Sequence, residues 1–155
     1  GGPVSPGTFG PGTLNAGGLS LAATAKLSLD VNDSGFGLPV YDQINVTGSV
    51  EISGAWLSLP GDYVLSLGET AIPFFLVIND GDDPVSGTFA GLPEGGIITA
   101  QSGQLYMLTY QGDSTNNAFT GGNDIALLAV PEPSATMALI AGVGALLGTR
   151  RRRRG

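Results

Sequence analysis

Cysteine and histidine are both absent from these 155 residues. Without cysteine there is no disulfide framework and no thiolate metal site. Without histidine the chain lacks the commonest general base and the commonest transition-metal ligand. Basic side chains are nearly missing too. Five of the six are the terminal Arg150, Arg151, Arg152, Arg153 and Arg154, and only Lys26 lies elsewhere. All 13 acidic residues fall between Asp30 and Glu132, so residues 1–133 carry an excess of twelve negative charges. Nucleic acid and anionic lipid head groups repel such a body, and no nucleic-acid role is expected.

What is present in quantity is glycine, at 26 residues, with 10 prolines and only 12% charged residues. That composition points away from long helices and towards short strands and tight turns. From Leu14 to Val130 short alternating runs are separated by turn residues. Lys26 to Val31 puts Leu27, Leu29 and Val31 on one face and Lys26, Ser28 and Asp30 on the other, which predicts one half-buried strand. Ile44–Val46 and Val50–Ile52 repeat the pattern around a Thr47-Gly48-Ser49 turn. Ala55–Leu59 and Tyr63–Leu67 flank Pro60-Gly61-Asp62, read as a hairpin or a solenoid corner. Phe74 to Ile78 is apolar throughout and predicts a strand buried on both faces. Val85–Phe89, Gly96–Ala100, Gln104–Tyr110 and Asp124–Val130 complete the set. The fold class expected is all-β. Two architectures fit: the end of a right-handed parallel β-helix with an antiparallel cap, or a β-sandwich.

Ser134 to Thr149 is an uncharged apolar stretch of 16 residues. As a helix it spans roughly 24 Å at about 1.5 Å per residue. The hydrocarbon core of a bilayer is about 30 Å thick, and snorkelling arginines recover several ångströms. The five arginines then hold the C-terminus on the cytoplasmic side and leave the acidic body outside.

Val130-Pro131-Glu132-Pro133, followed by the apolar stretch and the arginine cluster, resembles the PEP-CTERM sorting signal of Gram-negative bacteria. The resemblance covers about 26 residues. It implies export, transient retention in the inner membrane, recognition by an exosortase-type processing enzyme and display at the cell surface or beyond. Pro131, Glu132 and Pro133 are then the sorting motif, 134–149 the apolar helix, and Arg150 to Arg154 the topology anchor. A second resemblance spans most of residues 5–130. Ser5-Pro6-Gly7-Thr8, Gly12-Thr13-Leu14, Leu19-Ser20-Leu21, Tyr41 to Val50, Phe89 to Gly95 and Gly122 to Leu127 are similar to the closing end of autotransporter-associated β-strand repeat proteins. That implies a surface-displayed β-solenoid passenger, without the autotransporter export route. The chain opens GGPVSPGTFG with neither an initiator Met nor an apolar signal. Residues 1–130 are therefore expected to be an extracytoplasmic β-domain, the C-terminal piece of a longer passenger, and 131–155 its sorting signal.

No cofactor and no metal site are expected. Asn79-Asp80-Gly81-Asp82-Asp83 clusters carboxylates, but counted from Asp80 the sixth and twelfth positions are Val85 and Gly91, where a calcium loop of the EF-hand type needs Gly and Glu. Gly121-Gly122-Asn123-Asp124 resembles one copy of a calcium-binding nonapeptide repeat, and reads better as shaping the approach to the last strand. Asp62, Glu69 and Glu94 are carboxylates on turns with no spacing that joins them for glycoside hydrolysis. A Ser-Lys pair would need Lys26, which alternation places on a solvent face. An enzyme is not expected. Trp56, Tyr63, Tyr106 and Tyr110 are candidate stacking surfaces for a sugar. Trp56 lies on the opposite face from Leu57 and Leu59, and burial between two layers is the preferred reading over exposure. The function expected is a non-enzymatic structural or adhesive protein. Its alternative is a carbohydrate-binding β-domain permanently tethered by the C-terminal helix, and extracellular polysaccharide is carried as a further partner.

Overall fold

The computed structural model describes residues 3–131, apart from Thr8, Leu67 and Asp82. Within them the protein is all-β: twelve strands and no helix. The sorting motif beyond Pro131, the apolar helix expected over 134–149 and the arginine cluster lie outside the described residues.

The first half pairs in parallel, apart from one antiparallel pair in which Val31–Asp33 runs against Pro39–Tyr41. Strands β1 (Thr13–Ala16), β2 (Leu19–Ser20), β3 (Lys26–Ser28) and β4 (Val31–Asp33) are followed by β5 (Pro39–Tyr41), β6 (Gln43–Val46), β7 (Val50–Glu51) and β8 (Trp56–Ser58). Thr13 of β1 faces Gln43 of β6, and Lys26 of β3 faces Trp56 of β8, both thirty residues apart. Leu19 of β2 faces Val50 of β7, thirty-one apart. A parallel bridge from Val4 to Leu27 extends the pattern one step upstream. The offset sets like residues over like. Leu19 stands over Val50, and Asn45 Nδ2 donates to Asn15 Oδ1 at 2.9 Å across the β1–β6 pair.

Lys26 to Val31 is not one strand. The chain bends at Leu29–Asp30, yet Leu27, Leu29 and Val31 all remain buried. The bend is held by Asp42, fully buried, whose carboxylate accepts from the Gly12 amide at 2.7 Å and the Asp30 amide at 2.9 Å. Backbone bonds follow the corner round: Leu29 N donates to Ser58 O and Val31 N to Pro60 O. Gly61 completes it as the corner residue of Pro60-Gly61-Asp62. Its φ is +119°, and a Cβ there would run into the Val31 carbonyl and the Asn32 side chain. Tyr63 to Ser66 forms no strand against β8, so this turn is a corner and not a hairpin.

The pairing mode changes at β9 (Pro73–Asn79). One edge of β9 pairs in parallel with β6 and the other antiparallel with β12 (Asp124–Ala129). Strand β11 (Leu105–Gly112) then joins β12, and β10 (Ile97–Thr99) joins β11, both antiparallel. The six-stranded sheet runs β1-β6-β9-β12-β11-β10. Phe74 to Val77 are buried, as expected of a strand flanked on both edges and both faces. At the core Phe74 stacks on Tyr41 at 5.5 Å between ring centroids and meets Tyr63 and Tyr106 edge-on at 5.6 and 5.8 Å. Val85–Phe89, expected as a strand, contributes single bridges at Ser86 and Phe89.

Candidate functional site

The described surface that offers binding chemistry is the outward face of β3 and β8 together with the turn from β10 to β11. Register places Lys26 and Trp56 side by side on this face, with Ser28 beside Ser58. Trp56 is 60% exposed, so the preferred sequence reading of a buried tryptophan is corrected. Its neighbour Leu57 takes the inward position, partly buried against the core.

The turn from β10 to β11 is bonded to the chain that follows β8. Gln101 N donates to Leu59 O at 3.0 Å, Ser102 Oγ to Tyr63 O at 2.9 Å, and Leu65 N to Gln104 Oε1 at 2.9 Å. Between the corner and the turn run two open grooves. One, of about 530 Å³, is lined by Lys26, Ser28, Ser58, Thr99 and Gln101 among others. The other, of about 740 Å³, is walled by Asn32, Asp33, Asp62, Gln101 and Ser102. Gln101 lines both, so they form one track.

The acidic side chains singled out from the sequence are spread apart and already engaged. Asp62 Oδ1 accepts from the Asp33 amide at 2.9 Å. Glu69 Oε2 accepts from the Ser66 amide at 2.9 Å and lies on a different, smaller groove near Leu38 and Ile72. Glu94 accepts from Thr109 Oγ1 at 2.6 Å and from the Tyr110 amide at 2.8 Å. Each secures a turn. Among the described residues no group of three acidic side chains is placed to hold a metal ion. Asp80 and Asp83 are exposed, and Asp82 lies outside the described residues. Asn123 Nδ2 donates to the Gly81 and Asp83 carbonyls, tying the acidic turn down. Asp124 is buried and accepts from the Asn79 amide and the Ser114 amide, both at 2.8 Å, so it shapes the approach to β12 as read from the sequence.

The aromatic candidates divide. Tyr63, Tyr106 and Tyr110 are buried, and only Trp56 is presented outward. Burial raises the Tyr106 phenol strongly, and it pushes Tyr110 up to about 12. Tyr41 and Tyr63 are raised by the same cause. The Tyr110 hydroxyl donates to Leu92 O at 2.6 Å and accepts from the Phe89 amide at 2.9 Å. It therefore pins the Phe89-to-Gly95 loop, a role that nothing in the residue pattern marked. Burial and the charge of Asp42 together raise the Asp30 carboxyl. At the corners Ser53 and Ser86 lower Glu51, and Asn116 lowers Asp113, through hydrogen bonds to the ionised forms.

At the end of β12 the chain is clamped. Val130 N donates to Leu105 O at 2.8 Å, and Val130 O accepts from Gln104 Nε2 at 2.9 Å. Pro131 follows, exposed, with no N–H to continue a ladder. Glu132, Pro133 and Arg150 to Arg154 lie outside the described residues. Among the described residues no helix is long and apolar enough to cross a membrane. The chain matches no family model, no curated protein and no solved structure.

Proposed function

We propose that this chain is an exported, non-enzymatic structural or adhesive β-domain of the cell surface or extracellular matrix, delivered by a C-terminal sorting signal of the PEP-CTERM kind. The observation that carries the reading is the order of the last 26 residues: Pro131-Glu132-Pro133, an uncharged apolar stretch, then five arginines. The exposure of Pro131, straight after the clamp on Val130, supports it, because a processing enzyme needs accessible backbone. In this reading an exosortase-type enzyme recognises Pro131, Glu132 and Pro133. Residues 134–149 sit in the inner membrane in transit, and Arg150 to Arg154 keep the C-terminus cytoplasmic until processing.

The fold reading that accompanies it is the end of a right-handed parallel β-helix with an antiparallel cap. Three observations support this: the parallel pairs about thirty residues apart, the Asn15–Asn45 ladder bond and the corner stacked at Gly61. Among the described residues strand β1 is the parallel edge of its sheet. A preceding coil of a longer passenger would stack there. For the non-enzymatic part, Asp62, Glu69 and Glu94 are separately engaged in turns, and the chain has no histidine.

The test is a transplant. Residues 130–155 are fused to an exported reporter in a bacterium that carries an exosortase-type enzyme. Retention followed by release is expected, with release abolished when Pro131, Glu132 and Pro133 become alanine. Equal release of both fusions would overturn the sorting reading.

A further inference from the structure

The track across β3, β8 and the β10–β11 turn has the chemistry of a glycan-binding site. At its edge, beside Lys26 in the strand register, Trp56 is the only tryptophan of the chain and stands 60% exposed. An outward indole leaves a large apolar face in water, and a pyranose ring covers such a face with its C–H groups. Beside it Lys26, Ser28, Ser58, Thr99 and Gln101 supply both donors and acceptors. Further along, Asp33, Asp62 and Ser102 add two carboxylates and a hydroxyl. Sugar hydroxyls donate and accept at once, so they match a wall that mixes ammonium, amide, hydroxyl and carboxylate groups.

The shape argues for a chain and not a single sugar. Two open grooves of about 530 and 740 Å³ meet at Gln101, giving an elongated trough. Its charge argues for a neutral one. Lys26 is the lone cation of residues 1–133, against a body with an excess of twelve negative charges and two carboxylates in the trough itself. A polyanionic glycan meets repulsion along most of that length.

We infer that Trp56 and the trough from Lys26 to Asp62 bind a neutral polysaccharide, with a pyranose stacked on Trp56. This names the ligand class of the adhesive half of the proposed function and rests on that half for its role in the cell.

Because Trp56 is the sole tryptophan, its fluorescence reports on this site alone. The full chain is titrated with cellohexaose, maltohexaose and mannohexaose, with an alginate oligomer as the anionic control. A saturable change with a neutral hexaose is expected, weaker with the matching disaccharide. In calorimetry Trp56→Ala lowers the affinity at least about tenfold and Trp56→Phe by less, with unchanged circular dichroism. Gln101→Ala weakens the hexaose but not the disaccharide. No saturable change with any neutral hexaose would overturn the inference, as would binding that survives Trp56→Ala. So would a response confined to alginate and removed by salt. Cell-surface retention of the protein, scored separately, tells the two failures apart: adhesion without glycan binding removes this inference and leaves the adhesive reading, and loss of adhesion removes that reading.

Discussion

The hydroxyls of two buried tyrosines have opposite circumstances. Tyr106 packs edge-on against Phe74, and its oxygen finds no hydrogen-bond partner among the described residues. Tyr110 bridges Phe89 and Leu92. A buried polar atom without a partner costs about 1–3 kcal/mol, and a satisfied one contributes about 0.5–1.5 kcal/mol. Urea denaturation should therefore show Tyr106→Phe neutral or up to about 1 kcal/mol more stable. Tyr110→Phe should lose about 1–3 kcal/mol, because the Phe89 amide is left alone. All four tyrosines are raised above the ordinary value, with Tyr110 at about 12. The stability this reflects is complete below the unfolded value of about 10 and is lost as pH rises through the folded values. Absorbance at 295 nm should stay flat through pH 10 in the native protein while the melting temperature falls above it. A native titration centred at the ordinary value would contradict the packing around Phe74. Little of this residue-level chemistry was legible. Alternation marks Leu27, Leu29 and Ile44 as inward. It says nothing of which hydroxyl meets a partner, nor that Asp42 and Asp124 are buried as backbone acceptors.

At the scale of elements, the parallel stack depends on corners that admit no side chain. Gly61 combines a φ of +119° with a carbonyl where Cβ would stand, whereas Gly103, at +89°, faces open space. Gly103→Ala should cost only the left-handed backbone term, about 1–2 kcal/mol. Gly61→Ala adds a backbone clash and should cost at least about 2 kcal/mol more, measured by the shift in denaturation midpoint. Equal costs would mean that the Val31–Gly61 contact is not what sets the corner. The Phe74-to-Ile78 run and the last strand were legible because a continuous apolar segment has no other place in so small a domain. The bend at Leu29 was not. A chain that bends can keep the same residues inward, so period-two alternation runs through the bend as through a straight strand. Trp56 was misjudged for a related reason: alternation gives the side of a strand, and only the neighbouring layer decides whether that side is covered.

For the whole molecule, the division of charge is the feature that organises the rest. An acidic body of short strands ends in a clamped Val130, an exposed Pro131 and a tail that holds five of the six cations. The reading of the tail rests on composition and order alone, and its residues beyond Pro131 lie outside the described ones. The architecture of the body was legible only as a choice between two, because short alternating runs pair as readily with their successors in a hairpin as with strands thirty residues on. The central claim, that the tail is a disposable sorting signal, meets its most direct test in the intact mass of the protein from membrane and released fractions of its native host. The account predicts a released species ending between Val130 and Ser134, lost when Pro131, Glu132 and Pro133 are replaced. A membrane-bound species that still ends at Gly155, with no shorter form released, would contradict it.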